Sequence, residues 1–166
     1  MKKEFFLMIL IILVVSSLCG CISEGRGTLV LKITDARPEL NITEALVTIS
    51  NVEVHLIASG WHTVVKEPTT FNLILLQDAQ EILGSANLST GHYSQIRLNV
   101  DNAKVTIDGI NYNLKIPSNK VQLISPFQIE DNKTTVLTLD FDVQESVHST
   151  GDDKYIMRPT IKIIQE

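Results

Sequence analysis

From Gly27 onward the chain alternates apolar and polar residues with a period of two, the signature of strands buried on one face. Leu29, Leu31 and Ile33 alternate with Val30, Lys32 and Thr34. Asp35-Ala36-Arg37-Pro38-Glu39 interrupts the run, since Pro38 has no N–H to give to a ladder. In Ala45–Ile57 the parity changes: Val47 and Ile49 fall on one face, and Val52, Val54 and Leu56 on the other. A β-bulge or bend near Ser50-Asn51 brings both sets to the core side. Ser59-Gly60 marks a turn, and Trp61, Thr63 and Val65 open a short strand on which Trp61 reads as a core residue.

After the dense apolar run Phe71–Leu76, Gln77–Asn87 has room for one short helical turn with Ile82 and Leu83 pointing inward. Ile96, Leu98 and Val100 then alternate with Gln95, Arg97, Asn99 and Asp101. Val105 and Ile107 lead into Asp108-Gly109, a hairpin signal because both residues tolerate positive φ, and Tyr112, Leu114 and Ile116 return from it. Pro117 stops that strand; Val121 and Leu123 begin a short one before Pro126, and Phe127 and Ile129 follow. Beyond the turn at Asp131-Asn132-Lys133, Leu137, Leu139 and Phe141 alternate with Thr138, Asp140 and Asp142. The last strand puts Tyr155, Met157, Ile161 and Ile163 on one face and Arg158, Thr160 and Lys162 on the other. About eight to ten short strands with a turn signal roughly every ten residues predict an all-β, antiparallel β-sandwich. No helical stretch separates strands, which excludes a parallel α/β sheet.

The first twenty residues follow a different pattern. Lys2 and Lys3 precede an apolar run from Phe5 to Val15, and Ser16-Ser17-Leu18-Cys19-Gly20 makes a small-residue exit. This is the layout of an export signal, and the run is shorter than the ~20 apolar residues of a spanning helix. Leu18-Cys19-Gly20-Cys21 resembles the lipobox of bacterial and archaeal lipoproteins. The resemblance implies cleavage after Gly20 and lipidation of the Cys21 thiol. The expected organisation is a lipoprotein signal peptide over 1–20, a lipidated cysteine and short tether over 21–26, and a β-sandwich over 27–166. The expected location is extracytoplasmic, anchored to the outer face of the cell membrane. Two acyl or alkyl chains suffice for that, each buried methylene contributing about 0.8 kcal/mol.

Charge and cysteine content then narrow the exported part. Losing Met1–Gly20 removes two lysines and one glutamate, which moves the net charge from −5 to −6. With no run of basic residues, nucleic acid is excluded as a partner. Cys19 leaves with the signal and Cys21 is taken by lipid, so the domain has no thiol for a disulfide, a nucleophile or a zinc site.

The order of the pieces resembles the lipoprotein family known as domain of unknown function 4382. The matching stretches are Gly27-Thr28-Leu29-Val30-Leu31-Lys32-Ile33-Thr34-Asp35-Ala36, Val47-Thr48-Ile49-Ser50-Asn51-Val52-Glu53-Val54-His55 and Gly91-His92-Tyr93-Ser94-Gln95-Ile96-Arg97-Leu98. Thr138-Leu139-Asp140-Phe141-Asp142 and Lys154-Tyr155-Ile156-Met157-Arg158-Pro159-Thr160-Ile161-Lys162 complete them. The sequence departs at Ser89-Thr90-Gly91, where Pro-Ala-Gly is commoner, but it keeps the glycine. The resemblance implies a prealbumin-like or immunoglobulin-like sandwich on bacterial and archaeal surfaces. It carries over no catalytic residue.

The residues themselves offer no enzyme. His55 and His62 flank a turn without HxH or HExxH spacing, and Leu88-Ser89-Thr90-Gly91-His92 is not a nucleophile elbow. Asp140 and Asp142 share a strand face and Asp101 is the third oxygen donor of a weak calcium candidate, but no Asp-x-Asp-x-Asp-Gly loop occurs. No cofactor is expected. Asn41-Ile42-Thr43, Asn87-Leu88-Ser89 and Asn132-Lys133-Thr134 are sequons in expected loops, candidates for N-glycosylation. The polar sheet face is the expected partner-binding surface, with Gln95, Arg97, Asn99, Asp140, Arg158 and Lys162 on it. The reading is a non-catalytic, lipid-anchored binding or interaction module of the cell envelope, with a protein or glycan partner. The alternative is a small-ligand or solute-binding surface lipoprotein, with a pocket between the sheets or under Gln77–Asn87.

Overall fold

In the computed structural model the alternation becomes burial. Leu29, Leu31 and Ile33 are fully buried along β1 (Arg26–Asp35), with half-buried residues between them. The structure describes residues 25–35, 41–152 and 154–166. The export segment Met1–Gly20, Cys21 and most of the tether lie outside the described residues. Among the described residues no helix is long and apolar enough to cross a membrane.

The strands that follow are β2 (Ile42–Leu56), β3 (Gly60–Val65), β4 (Thr69–Asn72), β5 (Glu81–Ser89), β6 (Gly91–Ile107), β7 (Ile110–Leu114) and β8 (Lys120–Ile129). After them come β9 (Thr134–Phe141), a single helical turn α1 (Val143–Ser146), β10 (Val147–Gly151), β11 (Lys154–Met157) and β12 (Ile161–Gln165). Two sheets form the sandwich. The four-stranded sheet has the order β12-β9-β1-β5, with β1 and β9 parallel and its other pairs antiparallel. The six-stranded sheet is built on the long antiparallel pair β2–β6: β3 and β4 share the outer edge of β2, and β7 and β8 share that of β6. A separate β10–β11 hairpin docks on the end of β7 through Lys115 and Ile156.

The long pair is one element because bulges correct its parity. Ile49 faces Val100 and Asn51 faces Asn99, leaving Ser50 as the extra residue at the position the parity change predicts. Asp101 is the matching extra residue on β6, so Ala103 and Val105 return to the core after Ile96, Leu98 and Val100. Asp108 and Gly109 both have positive φ, 50° and 80°, which gives the tight primed turn between β6 and β7.

Three local expectations are corrected. Gln77–Asn87 holds no helical turn: Glu81–Ser89 is β5, edge-paired to β1, and its Ile82 is 66% exposed while Leu83 is buried. The helical turns are instead at Leu73–Leu76, at the end of the apolar run, and at α1, where the Asp142 carboxylate accepts the Glu145 N–H as a cap. Pro126 does not end a strand; β8 runs through it, as an edge strand with a register shift can. The final alternating run is two strands, β11 and β12, parted at Arg158-Pro159-Thr160.

The sandwich has two ends. At the near end, β1 starts beside the β5–β6 corner and the β8–β9 turn. At the far end lie Asp35, α1, the β6–β7 turn and the first residue of β2.

Candidate functional site

The register of four strands sets the solvent face of the six-stranded sheet in rows. Thr63, Glu53, Arg97 and Gln122 stand across one row; Trp61, His55, Gln95 and Ile124 stand across the next. Asn51, Asn99 and Lys120 form a third. The rows follow from the same alternation that buries Val52, Val54, Ile96 and Leu98 on the opposite face.

Arg97 organises the centre. Its Nε donates to Glu53 Oε2 at 2.5 Å, and its guanidinium lies 4.0 Å from the centroid of the Trp61 ring. Arg97 holds the Glu53 carboxyl below its ordinary value by that hydrogen bond, and the same bond raises the guanidinium above its own. Trp61 is therefore not a core residue, contrary to the sequence reading. It is half-buried on the solvent face, packed edge-on by the His55 ring at 5.0 Å. Arg97 keeps 32% of its side chain exposed, so donors remain for a partner. Beside it Gln122 donates to Gln95 at 2.6 Å, and Ile124 is 82% exposed.

The structure brings together only part of the expected surface. Gln95, Arg97 and Asn99 share this face. Asp140 and Lys162 face each other across β9 and β12 on the other sheet. Arg158 lies between β11 and β12, where its backbone N–H donates to Ser146 O. The six residues thus occupy two faces and a connection, because β6 belongs to one sheet and β9 and β12 to the other.

The calcium set does not assemble either. Asp101 belongs to the bulge of the six-stranded sheet, whereas Asp140 and Asp142 end a strand of the other. Among the described residues no three His, Cys, Asp or Glu are placed to hold a metal. His55 and His62 sit on neighbouring strands with opposite faces: His55 meets Ser94 and Trp61, while His62 meets Ser59 and Tyr93. All three sequon asparagines are exposed, but Asn87 lies within β5, paired to Thr28, and not in the expected loop. Asn41 contacts Asp108 at the far end, Asn87 accepts from Arg26, and Asn132 occupies the β8–β9 turn with φ 56°.

Sequence reasoning missed Asp35. It is 2% exposed; Oδ1 accepts the Val143 N–H at 3.1 Å and Oδ2 has no hydrogen-bond partner among the described residues. Burial pushes its carboxyl up to about 7, the Val143 N–H pulls the other way, and the charges of Asp142 and Asp140 add to the rise. Burial also raises Asp140, against the nearby Lys162. The signal was present: Asp35 continues the parity of Leu29, Leu31 and Ile33, so the alternation itself points it inward.

A family described as Domain of unknown function (DUF4382) matches residues 26–159. The chain belongs to this family. The DUF4382 match covers both sheets except β12, together with α1 and the β10–β11 hairpin. Neither a curated protein nor a solved structure matches the chain. The family fixes kinship and leaves the activity to be argued from the surface.

Proposed function

We propose that this DUF4382 protein is a non-catalytic, lipid-anchored module of the cell envelope that binds an envelope protein through the solvent face of its six-stranded sheet. Lipid on Cys21 holds it to the outer face of the membrane, and any glycans sit on Asn41, Asn87 or Asn132. The observation that carries the reading is Trp61, on the edge strand β3, lying half-exposed under the guanidinium of Arg97 from the inner strand β6. Tryptophan and arginine are the residues that dominate binding energy at protein interfaces, and Ile124 supplies an exposed apolar neighbour.

Cross-linking on intact cells, followed by mass spectrometry of captured peptides, tests it. One envelope protein should be captured reproducibly by the wild-type chain. Trp61→Ala should reduce its yield at least about tenfold, the loss expected of an anchor residue. Undiminished capture by Trp61→Ala would remove the sheet face from the reading. Membrane fractionation of Cys21→Ser addresses the anchor separately, since that chain should leave the membrane pellet.

A further inference from the structure

Although the chain is acidic and has no basic run, the fold collects cations along one seam. Where β11 meets the end of β7, the Lys115 N–H donates to Tyr155 O and the Met157 N–H to Lys115 O. Two open grooves follow one another along β11 at this seam. The first, about 440 Å³, is lined by Tyr112, Asn113, Lys115, Thr150, Lys154 and Tyr155 among others. The second, about 390 Å³, is lined by Lys120, Gln122, Met157 and Arg158, with Ser118 and two prolines. Among the described residues neither lining contains an Asp or Glu. Among the described residues none of Lys115, Lys120, Lys154 and Arg158 is held in an ion pair.

We infer that this seam binds a polyanionic glycan, a chain of carboxylate-bearing sugars lying along β11. The charge selects an anion: four cations bracket the grooves in a protein of net charge −5. The other wall groups select a sugar. The Tyr112 and Tyr155 rings lie 4.7 Å apart and tilted by 59°, an apolar surface for the C–H face of a pyranose. Asn113 offers an amide donor and acceptor, Gln122 its second amide N–H and its carbonyl oxygen, and the Thr150 and Ser118 hydroxyls, which donate to Lys154 O and Lys120 O, offer acceptor lone pairs to sugar hydroxyls. Two successive grooves call for several linked units rather than one. An extended acidic peptide is disfavoured by the backbone: β11 pairs with β10 on one side and bridges Lys115 on the other, leaving no free edge for strand addition.

The test uses the full chain in detergent and titrates it with polygalacturonate, a neutral dextran, poly-glutamate and a single-stranded oligonucleotide. Polygalacturonate should bind, weaken as salt rises from about 50 to 200 mM, and exceed the other three polymers. The double variant Lys154→Gln and Arg158→Gln, both exposed positions, should lower its affinity at least about tenfold with unfolding midpoint unchanged. Trp61→Ala should leave it unaltered, because Trp61 stands on β3, across β2 and β6 from the groove, although Lys120 and Gln122 belong to both surfaces. No binding of polygalacturonate, binding indifferent to the double variant, or equal binding of poly-glutamate or oligonucleotide would each overturn the assignment.

Discussion

The two ends of the sandwich are built on opposite terms. At the near end every main-chain group named finds a partner: Thr90 N–H donates to Gly25 O, Thr28 N–H to Lys133 O and Asn132 N–H to Arg26 O. The Arg26 N–H donates to the Asp131 carboxylate at 2.9 Å. At the far end the same strand finishes on Asp35, a buried carboxyl with one oxygen unpaired and two further aspartates close by. An orphaned buried polar atom is costly, so the two ends of β1 differ in how far stability has been optimised. If the chain is anchored through Cys21, the saturated end is the one that takes the load of the tether.

The largest test of that contrast is Gly27. A Cβ there would meet Glu130 O at 2.3 Å, Ile129 Cγ2 at 2.7 Å and Lys133 O at 2.9 Å. Two of these are backbone atoms and cannot swing aside, so Gly27→Ala must open the junction of β1 with the β8–β9 turn. The expected loss is at least about 3 kcal/mol in urea unfolding. A loss under about 1 kcal/mol would show that the near end yields easily and would erase the comparison.

Asp35→Asn probes the other end and has the opposite sign. The folded protein keeps the Asp35 proton up to about 7, whereas an unfolded aspartate releases it near its ordinary value of 3.8. Between those values the folded state binds more protons, so stability falls as pH rises, by up to about 1.4 kcal/mol per pH unit, and levels off above 7. Glu53 and Glu166 are shifted downward, by Arg97 and Lys32 respectively, so their contributions are lost only as pH falls below the ordinary glutamate value of 4.5, which leaves the span from about pH 5 to 7 to Asp35. The amide oxygen of asparagine can still accept from Val143. The variant should therefore be more stable than wild type at pH 8 by about 1–3 kcal/mol and flatten the profile between pH 5 and 7. A residual slope from Asp140, raised in the same direction, is expected. Urea midpoints at four pH values check it; a variant weaker than wild type at pH 8 would contradict the buried-charge account.

What was legible in the sequence follows the same division between local and long-range causes. Period-two alternation located nearly every strand, and the parity change at Ser50 located a bulge, because both record which side chains face the core. The Asp108-Gly109 turn was legible because few residues accept positive φ at both positions. The sheet partners were not, since nothing in β1 states that β9, more than a hundred residues on, lies beside it. For that reason Gln95, Arg158 and Lys162 were assigned to one face, and the lack of a basic run gave no sign of the seam. Trp61 was misplaced because size suggested burial, while its register with His55 puts it outside. Asp35 was passed over because a charged residue beside a proline-containing loop reads as a break, although its parity said otherwise.

The smallest effect expected of the comparison is at Asp131, and it asks whether the near end is held by main chain or by side chain. Asp131→Ala removes the acceptor of the Arg26 N–H and of the Asn132 amide but leaves the reciprocal bonds through Thr28, Asn132 and Thr90. Because the site is exposed, water can replace the carboxylate, and the cost should be about 0.5–1.5 kcal/mol. Asp131→Asn, which retains an acceptor oxygen, should recover most of it. Hydrogen exchange gives the sharper readout: Arg26 should lose protection in the alanine variant while Thr28 keeps it. Loss of protection at both amides would mean that the Asp131 side chain closes the junction and that main-chain pairing there is secondary.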